Sequence, residues 1–182
     1  MTKDSRPGGN TSCVTDRLRV VVTSSLEGIV SMGLEIGALH VRRSTFIRAT
    51  PARVWEEFES FERLSEWFGR GHVLHAYNPT VGGKVELSVE LDGKRQRYGG
   101  EILVFDPQSE LSFAVNWHDP ALAWPVPTLW TLCLRAVYDG TQVEIFHHGF
   151  ERLGVDAGDN LEGYEAGWDN KHLKSLRSIV EA

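Results

Sequence analysis

The run "QVEIFHHGF", Gln142 to Phe150, carries two adjacent histidines, and histidine is the side chain whose charge changes nearest neutral pH. Strand alternation places His147 on one face with Val143 and Ile145, and His148 on the other with Glu144 and Phe146. An imidazole on an apolar face can be satisfied by a backbone group, can bond the polar end of a ligand, or can carry protons. Proton transfer would need a convergent polar set, for which Tyr98 and Asn116 are the candidates beside His147. Other chemistries lack their residues. No G-x-S-x-G elbow is present to hold a nucleophilic serine. The pairs Gly82-Gly83 and Gly99-Gly100 sit in neither a P-loop nor a strand-to-helix G-x-G-x-x-G, so they are expected to bend or bulge strands. His72 and His75, three apart on an expected strand, point to opposite faces and do not form a zinc site. Asp156, Asp159 and Glu162 lack the spacing of a calcium loop. The expectation is no catalytic residue, no cofactor and no metal.

The aromatic residues offer a second chemistry. Trp67, Phe68, Phe113, Trp117, Trp130 and Trp168 are expected on inward faces, where they either fill a core or line an apolar cavity. The connection "NWHDPALAWPVPT" holds three prolines and Trp124, which makes a stiff loop expected at the mouth of such a cavity. These seven aromatic residues and His147 are the candidate ligand-binding set.

The elements that must position them can be read in order. "LHVRRSTFIRA" is strand-like, and Thr50 and Pro51 then provide an N-cap and first position for a helix with Val54, Trp55 and Phe58 as its stripe. "FERLSEWFG" predicts a second short helix, with Phe61, Leu64, Trp67 and Phe68 on one face and Gly69 as its stop. Glu56, Glu57, Glu59, Glu62 and Glu66 read as a solvated face. From there the period changes to two. Val85, Leu87, Val89 and Leu91 alternate with Glu86, Ser88 and Glu90, and a hairpin turns at Asp92-Gly93. Leu111, Phe113, Val115 and Trp117 share a face, and a second hairpin is expected to turn at Asp139-Gly140. A helix from about Asp159 to Ala182 closes the chain. Strands in series followed by a helix indicate an α+β fold, with the closing helix covering one face of a curved antiparallel sheet.

At 182 residues, 41% of them hydrophobic, the chain can bury a full core without disulfides or metal. A formal charge of −6 argues against a nucleic-acid surface, and no apolar run is long enough to span a membrane. Cys13 and Cys133 have neither paired nor metal-ligand spacing, which suits a reducing, cytoplasmic setting. Residues 1–38 are polar at first, then lack a clean period, and read as a partly disordered extension before a domain at 39–182. Met32 is a candidate start within that extension.

In order, "TFIRATPARVWEEF", "LSEWFG", "VGGKVEL", "YGGEILVFDPQSELSFAVNW", "GTQVEIFHHGF" and "EGYEAGWDNKHLKSL" resemble the START-like (SRPBCC) superfamily. The branch is similar to the C-terminal domain of the heat-shock-protein-90 ATPase activator, and the resemblance spans about Val41 to Val180. It implies a helix-grip fold, with about seven strands wrapped around a long C-terminal helix over an internal cavity. Gly163 and Gly167, beside Tyr164 and Trp168, would then let the helix backbone approach the sheet closely. The implied function is non-catalytic binding of a hydrophobic or aromatic small molecule. A polyketide cyclase or aromatase-type enzyme and a chaperone-activator-like interaction module are the alternatives the resemblance leaves open, as it does a homodimer.

Overall fold

Apolar side chains that recur every second residue force one face of each strand out of water, and seven such strands join edge to edge in this chain. The computed structural model describes residues 37–68, 71–168 and 170–182, all within one of the chain's two units, Leu34–Ala182. The expectations for residues 1–36, including a start at Met32 and the setting of Cys13, lie outside the described residues. So does Gly69 as a helix stop.

The strands are β1 (His40–Ile47), β2 (Val73–Tyr77), β3 (Lys84–Leu91), β4 (Lys94–Asp106), β5 (Glu110–Trp117), β6 (Thr128–Val137) and β7 (Gly140–His148). They form a single antiparallel sheet in the order β1-β7-β6-β5-β4-β3-β2. Between β1 and β2 lie α1 (Pro51–Trp55), a 3₁₀ turn (Glu56–Phe58) and α2 (Phe61–Phe68). After β7 comes a 3₁₀ segment (Phe150–Asp156), then α3 (Ala157–Gly167) and α4 (Lys171–Val180). This is the α+β helix-grip architecture, with a helical C-terminal arm held by the sheet.

Local chemistry explains the short helices. Thr50 Oγ1 accepts from the Arg53 N–H at 3.3 Å, and Pro51 opens α1 where its missing N–H costs nothing. The 3₁₀ turn's carbonyls are satisfied from neighbouring elements. Tyr77 donates its hydroxyl to Phe58 O at 2.6 Å, and Trp67 Nε1 donates to Glu57 O at 3.3 Å. Glu57 departs from the solvated face expected for the acidic residues. It is buried because Arg53 and Arg63 both close on its carboxylate, at 2.6 and 3.2 Å.

The first hairpin turns at Asp92 and Gly93, both with positive φ, as its sequence predicts. The second turns one residue earlier than expected, at Tyr138-Asp139, with Tyr138 at φ 49°. Gly140 already belongs to β7. A Cβ there would collide with Ile47 O and the Phe46 ring, so this glycine serves close strand approach and not the turn. Gly99, at φ 139°, and Gly100 sit where β4 crosses close to Val85 O and Ala114 O, next to a register shift between Ile102 and Val104.

The closing helix differs from the continuous one expected over 159–182. Trp168 (ψ 67°) leaves the helical region, so its side chain does not stack in a continuous stripe with Leu161 and His172. Arg43 on β1 holds this break: its Nε donates to Trp168 O at 2.6 Å and its Nη2 to Glu165 O at 3.0 Å. These carbonyls lie at the C-terminal end of α3, where the last turn runs short of helical donors, and the guanidinium supplies charge-assisted bonds. Arg43→Met should therefore lower stability by about 2 kcal/mol in urea unfolding, with amide exchange quickening at the α3–α4 junction. An unchanged midpoint would show that solvent replaces those bonds without cost.

The main core lies between the inner face of the sheet and α1, α2 and α4, where Trp55, Phe58, Trp67, Leu173 and Leu176 meet Leu87, Ile102, Leu132 and Ile145. A second cluster, Val41, Phe150, Leu153 and Ala157, anchors the start of α3. Ala157 is the one buried residue of α3. Leu161 and Tyr164 pack against that second cluster, and most of the remaining helix is exposed.

Candidate functional site

Between α3 and the inner faces of β3, β4, β5 and β6 lies a cavity of about 310 Å³, at the small end of the range for ligand pockets. Register explains its walls. Leu87 pairs with Tyr98, Tyr98 with Trp117, Phe113 with Trp130 and Trp130 with His147, so these side chains share the inner face. Val89 and Leu91 continue that face toward solvent, and Phe68 and Trp168 close it from the helical side. Rings meet edge to face or tilted, with Phe113–Trp130 centroids at 4.8 Å and Phe68–Trp130 at 6.0 Å. The exposed lining residues, Leu91, Asp159, Gly163 and Gly167, mark the mouth.

Six of the eight residues named from sequence line this space: Phe68, Phe113, Trp117, Trp130, His147 and Trp168. Trp67 does not. It is fully buried behind Phe68, edge-on to Phe58, with its N–H spent on a backbone carbonyl. Trp124 does not line it either, because its loop folds back onto the sheet and packs the ring against Trp117 and Tyr164. That fold-back is held by Asn116, whose Oδ1 accepts from the Trp117 and Trp124 N–H groups at 2.9 Å and whose Nδ2 donates to Trp124 O. Asn116 is therefore a loop clamp, and it does not converge with Tyr98 and His147.

His147 has no free nitrogen to offer. Trp168 Nε1 donates to its Nδ1 at 3.1 Å, which places the ring proton on Nε2, facing Thr128 Oγ1 at 2.8 Å. The Thr128 hydroxyl in turn donates a hydrogen bond to Val115 O at 3.3 Å. Burial, with a smaller contribution from the neighbouring His148, lowers the pKa of His147 to about 3. This imidazole pins Trp168 at the helix break, so the ligand-bonding role considered for it is replaced by a structural one.

Sequence reasoning did not single out His72, Asp159, Asn160 and Tyr164 as lining residues. His72 precedes β2 and follows no strand period. Its Nδ1 lies 2.7 Å from the Tyr98 hydroxyl, and burial followed by the nearby His172 lowers its pKa to about 4. Tyr98 is shifted upward by burial and then by Tyr164, so both partners of this dyad are neutral. Gly163 and Gly167 also overturn their expected role. A Cβ on either would meet nothing within 4 Å, so they widen the cavity mouth instead of allowing close packing. Among the described residues, no group of three or more His, Cys, Asp or Glu is placed to hold a metal ion.

Residues 48–181 match the family described as activator of Hsp90 ATPase homolog 1-like protein. The chain belongs to this family. The Hsp90-activator-homologue fold also recurs in solved structures that share little sequence with it. Protein CV1439 from Chromobacterium violaceum is 21% identical with a TM-score of 0.63, over 79% of this chain and 98% of that one. The Aha1 dimer from Colwellia psychrerythraea is 15% identical with a TM-score of 0.57, over 78% and 96%. DynU16, a protein of the dynemicin biosynthetic locus, is 21% identical with a TM-score of 0.57, over 79% of this chain and 48% of that one. At these identities the likeness is one of fold. No match was found among curated proteins. No helix among the described residues is long and apolar enough to cross a membrane.

Proposed function

We propose that this member of the family binds a mainly apolar, aromatic small molecule between the sheet and α3, without turning it over. The observation that carries this reading is the cavity: about 310 Å³ walled by Trp117, Trp130, Trp168, Phe68 and Phe113, in a domain whose remaining core is closely packed. The three side chains considered as acid and base, His147, Tyr98 and Asn116, do not converge, and they bond Trp168 and Thr128, His72, and the backbone of Trp117 and Trp124 respectively. Such a set orients and binds; it does not hold a proton ready for transfer.

The experiment is a titration with Nile red, an environment-sensitive apolar dye, on the full chain and on Gly163→Leu. A leucine at 163 points into open space at the mouth and removes a helix penalty of about 1 kcal/mol. The expected result is at least about a tenfold loss of dye affinity with an unfolding midpoint unchanged or raised. Dye binding that survives the substitution would place the ligand elsewhere. Absence of any dye binding would favour the second reading, docking on a chaperone, which rests on family membership alone. A homodimer is likewise a proposal, prompted by the dimeric Colwellia structure.

A further inference from the structure

The lining is unusual in its charge. Among the described residues no lysine or arginine faces the cavity, and its one formally charged lining residue is Asp159. The helix that covers it, Ala157–Gly167, carries Asp159, Glu162 and Glu165 and no cation. Arg43 and Arg152 are outside the lining and donate to carbonyls, of Trp168 and Glu165 in one case and of Pro127 in the other. Lys94, paired with Leu91 at the hairpin tip, is exposed and outside the lining.

Polar capacity inside the walls is limited. Tyr98 and His72 bond each other, both His147 ring nitrogens are engaged, and one Asn160 N–H goes to Asp156 O, while the buried Trp130 indole N–H has no partner. Tyr164 differs. Its ring is held by His147, Phe150 and Trp124, at centroid distances of 4.6, 5.2 and 5.9 Å, while its hydroxyl makes no hydrogen bond to any described residue. A phenol fixed against a cavity with its O–H unspent is a donor waiting for an acceptor.

We propose that the cavity selects uncharged aromatic ligands bearing a hydrogen-bond-accepting oxygen, such as aryl ketones, and that Tyr164 is the residue that recognises that oxygen. This rests on the reading of the cavity as a ligand site and adds the class of ligand. A carboxylate entering here would leave water for aromatic walls, meet no counter-charge and pass Asp159 on its way. A ketone gives up far less hydration and regains a hydrogen bond from Tyr164.

The test uses probes of one size on the full chain, each displacing Nile red: 2-acetylnaphthalene, 2-ethylnaphthalene and 2-naphthoate. The ketone should bind about 3- to 10-fold tighter than the hydrocarbon, and the carboxylate at least about 100-fold weaker than the ketone. Tyr164→Phe keeps the ring contacts and should erase the difference between ketone and hydrocarbon. Asp159→Lys, at the exposed mouth, should improve 2-naphthoate about tenfold relative to the ketone. Carboxylate affinity within tenfold of the ketone, or a ketone preference that survives Tyr164→Phe, would overturn the proposal while leaving the cavity as a ligand site. Displacement by none of the three probes, with dye binding insensitive to Gly163→Leu, would overturn the cavity reading itself.

Discussion

Acidifying the protein from pH 7 to pH 5 should remove roughly 3–5 kcal/mol of folding stability, out of the 5–15 kcal/mol typical of a domain. Three histidines are held neutral by the fold. Burial lowers His147 to about 3, and burial lowers His72 and His148 to about 4, with His172 adding to the shift at His72. For such groups the unfolded chain takes up protons first, so stability is complete above pH 6.5 and declines as pH falls toward the folded values. Over the about 1.5 units from 6.5 to 5, His147 alone loses about 2 kcal/mol at 1.36 kcal/mol per unit. His72 and His148, nearer solvent or opposed by Glu151, add less than this each. Geometry gives the same sign independently, because a second proton on His147 would sit on Nδ1, facing the Trp168 N–H at 3.1 Å. Urea unfolding at the two pH values measures the loss. His147→Gln, which does not titrate, should flatten the difference by about 2 kcal/mol whatever it does to stability at pH 7. Equal stability at pH 7 and pH 5 would mean that these imidazoles are solvated.

The contrast between what the residues foretell and what the chain builds is sharpest along the C-terminal arm. Period-two alternation is a local property, so β3, β5 and β7 and the inward set Phe113, Trp117, Trp130 and His147 follow from it directly. A helical period continues through a break without showing it. Asp159 to Ala182 reads as one helix because the energy that interrupts it at Trp168 comes from Arg43 and His147, more than 20 residues away in sequence. The mouth of the cavity is hidden for the same reason. Glycines at 163 and 167 suggest contact when the helix is imagined against a sheet, and only the placement of α3 shows that they border empty space. Glu57 is a smaller case. Its neighbours Glu56 and Glu59 stay near solvent, and the difference arises from two arginines that converge across a turn.

Trp168→Ala should cost about 3 kcal/mol and at the same time abolish selective dye binding. Trp168 packs against both hydrophobic clusters and touches Phe68, Trp130, His147 and His172, at centroid distances from 5.6 to 6.3 Å. Removing its ring enlarges the cavity it lines, and the surrounding rings can collapse only in part. The figure is set at the lower end of the range for tryptophan because this side chain is half-buried, not sealed. Trp168→Phe separates packing from hydrogen bonding. Phenylalanine restores most of the apolar contact but leaves His147 Nδ1 without its donor, so a loss of about 1 kcal/mol is expected at pH 7. The same change clears the site that a second proton on His147 would occupy, so the phenylalanine variant should lose less stability than the parent between pH 7 and pH 5. Unfolding at both pH values, for parent, alanine and phenylalanine forms, tests the two roles together. An alanine variant as stable as the parent would detach Trp168 from the core, and a phenylalanine variant with unaltered acid sensitivity would detach it from His147.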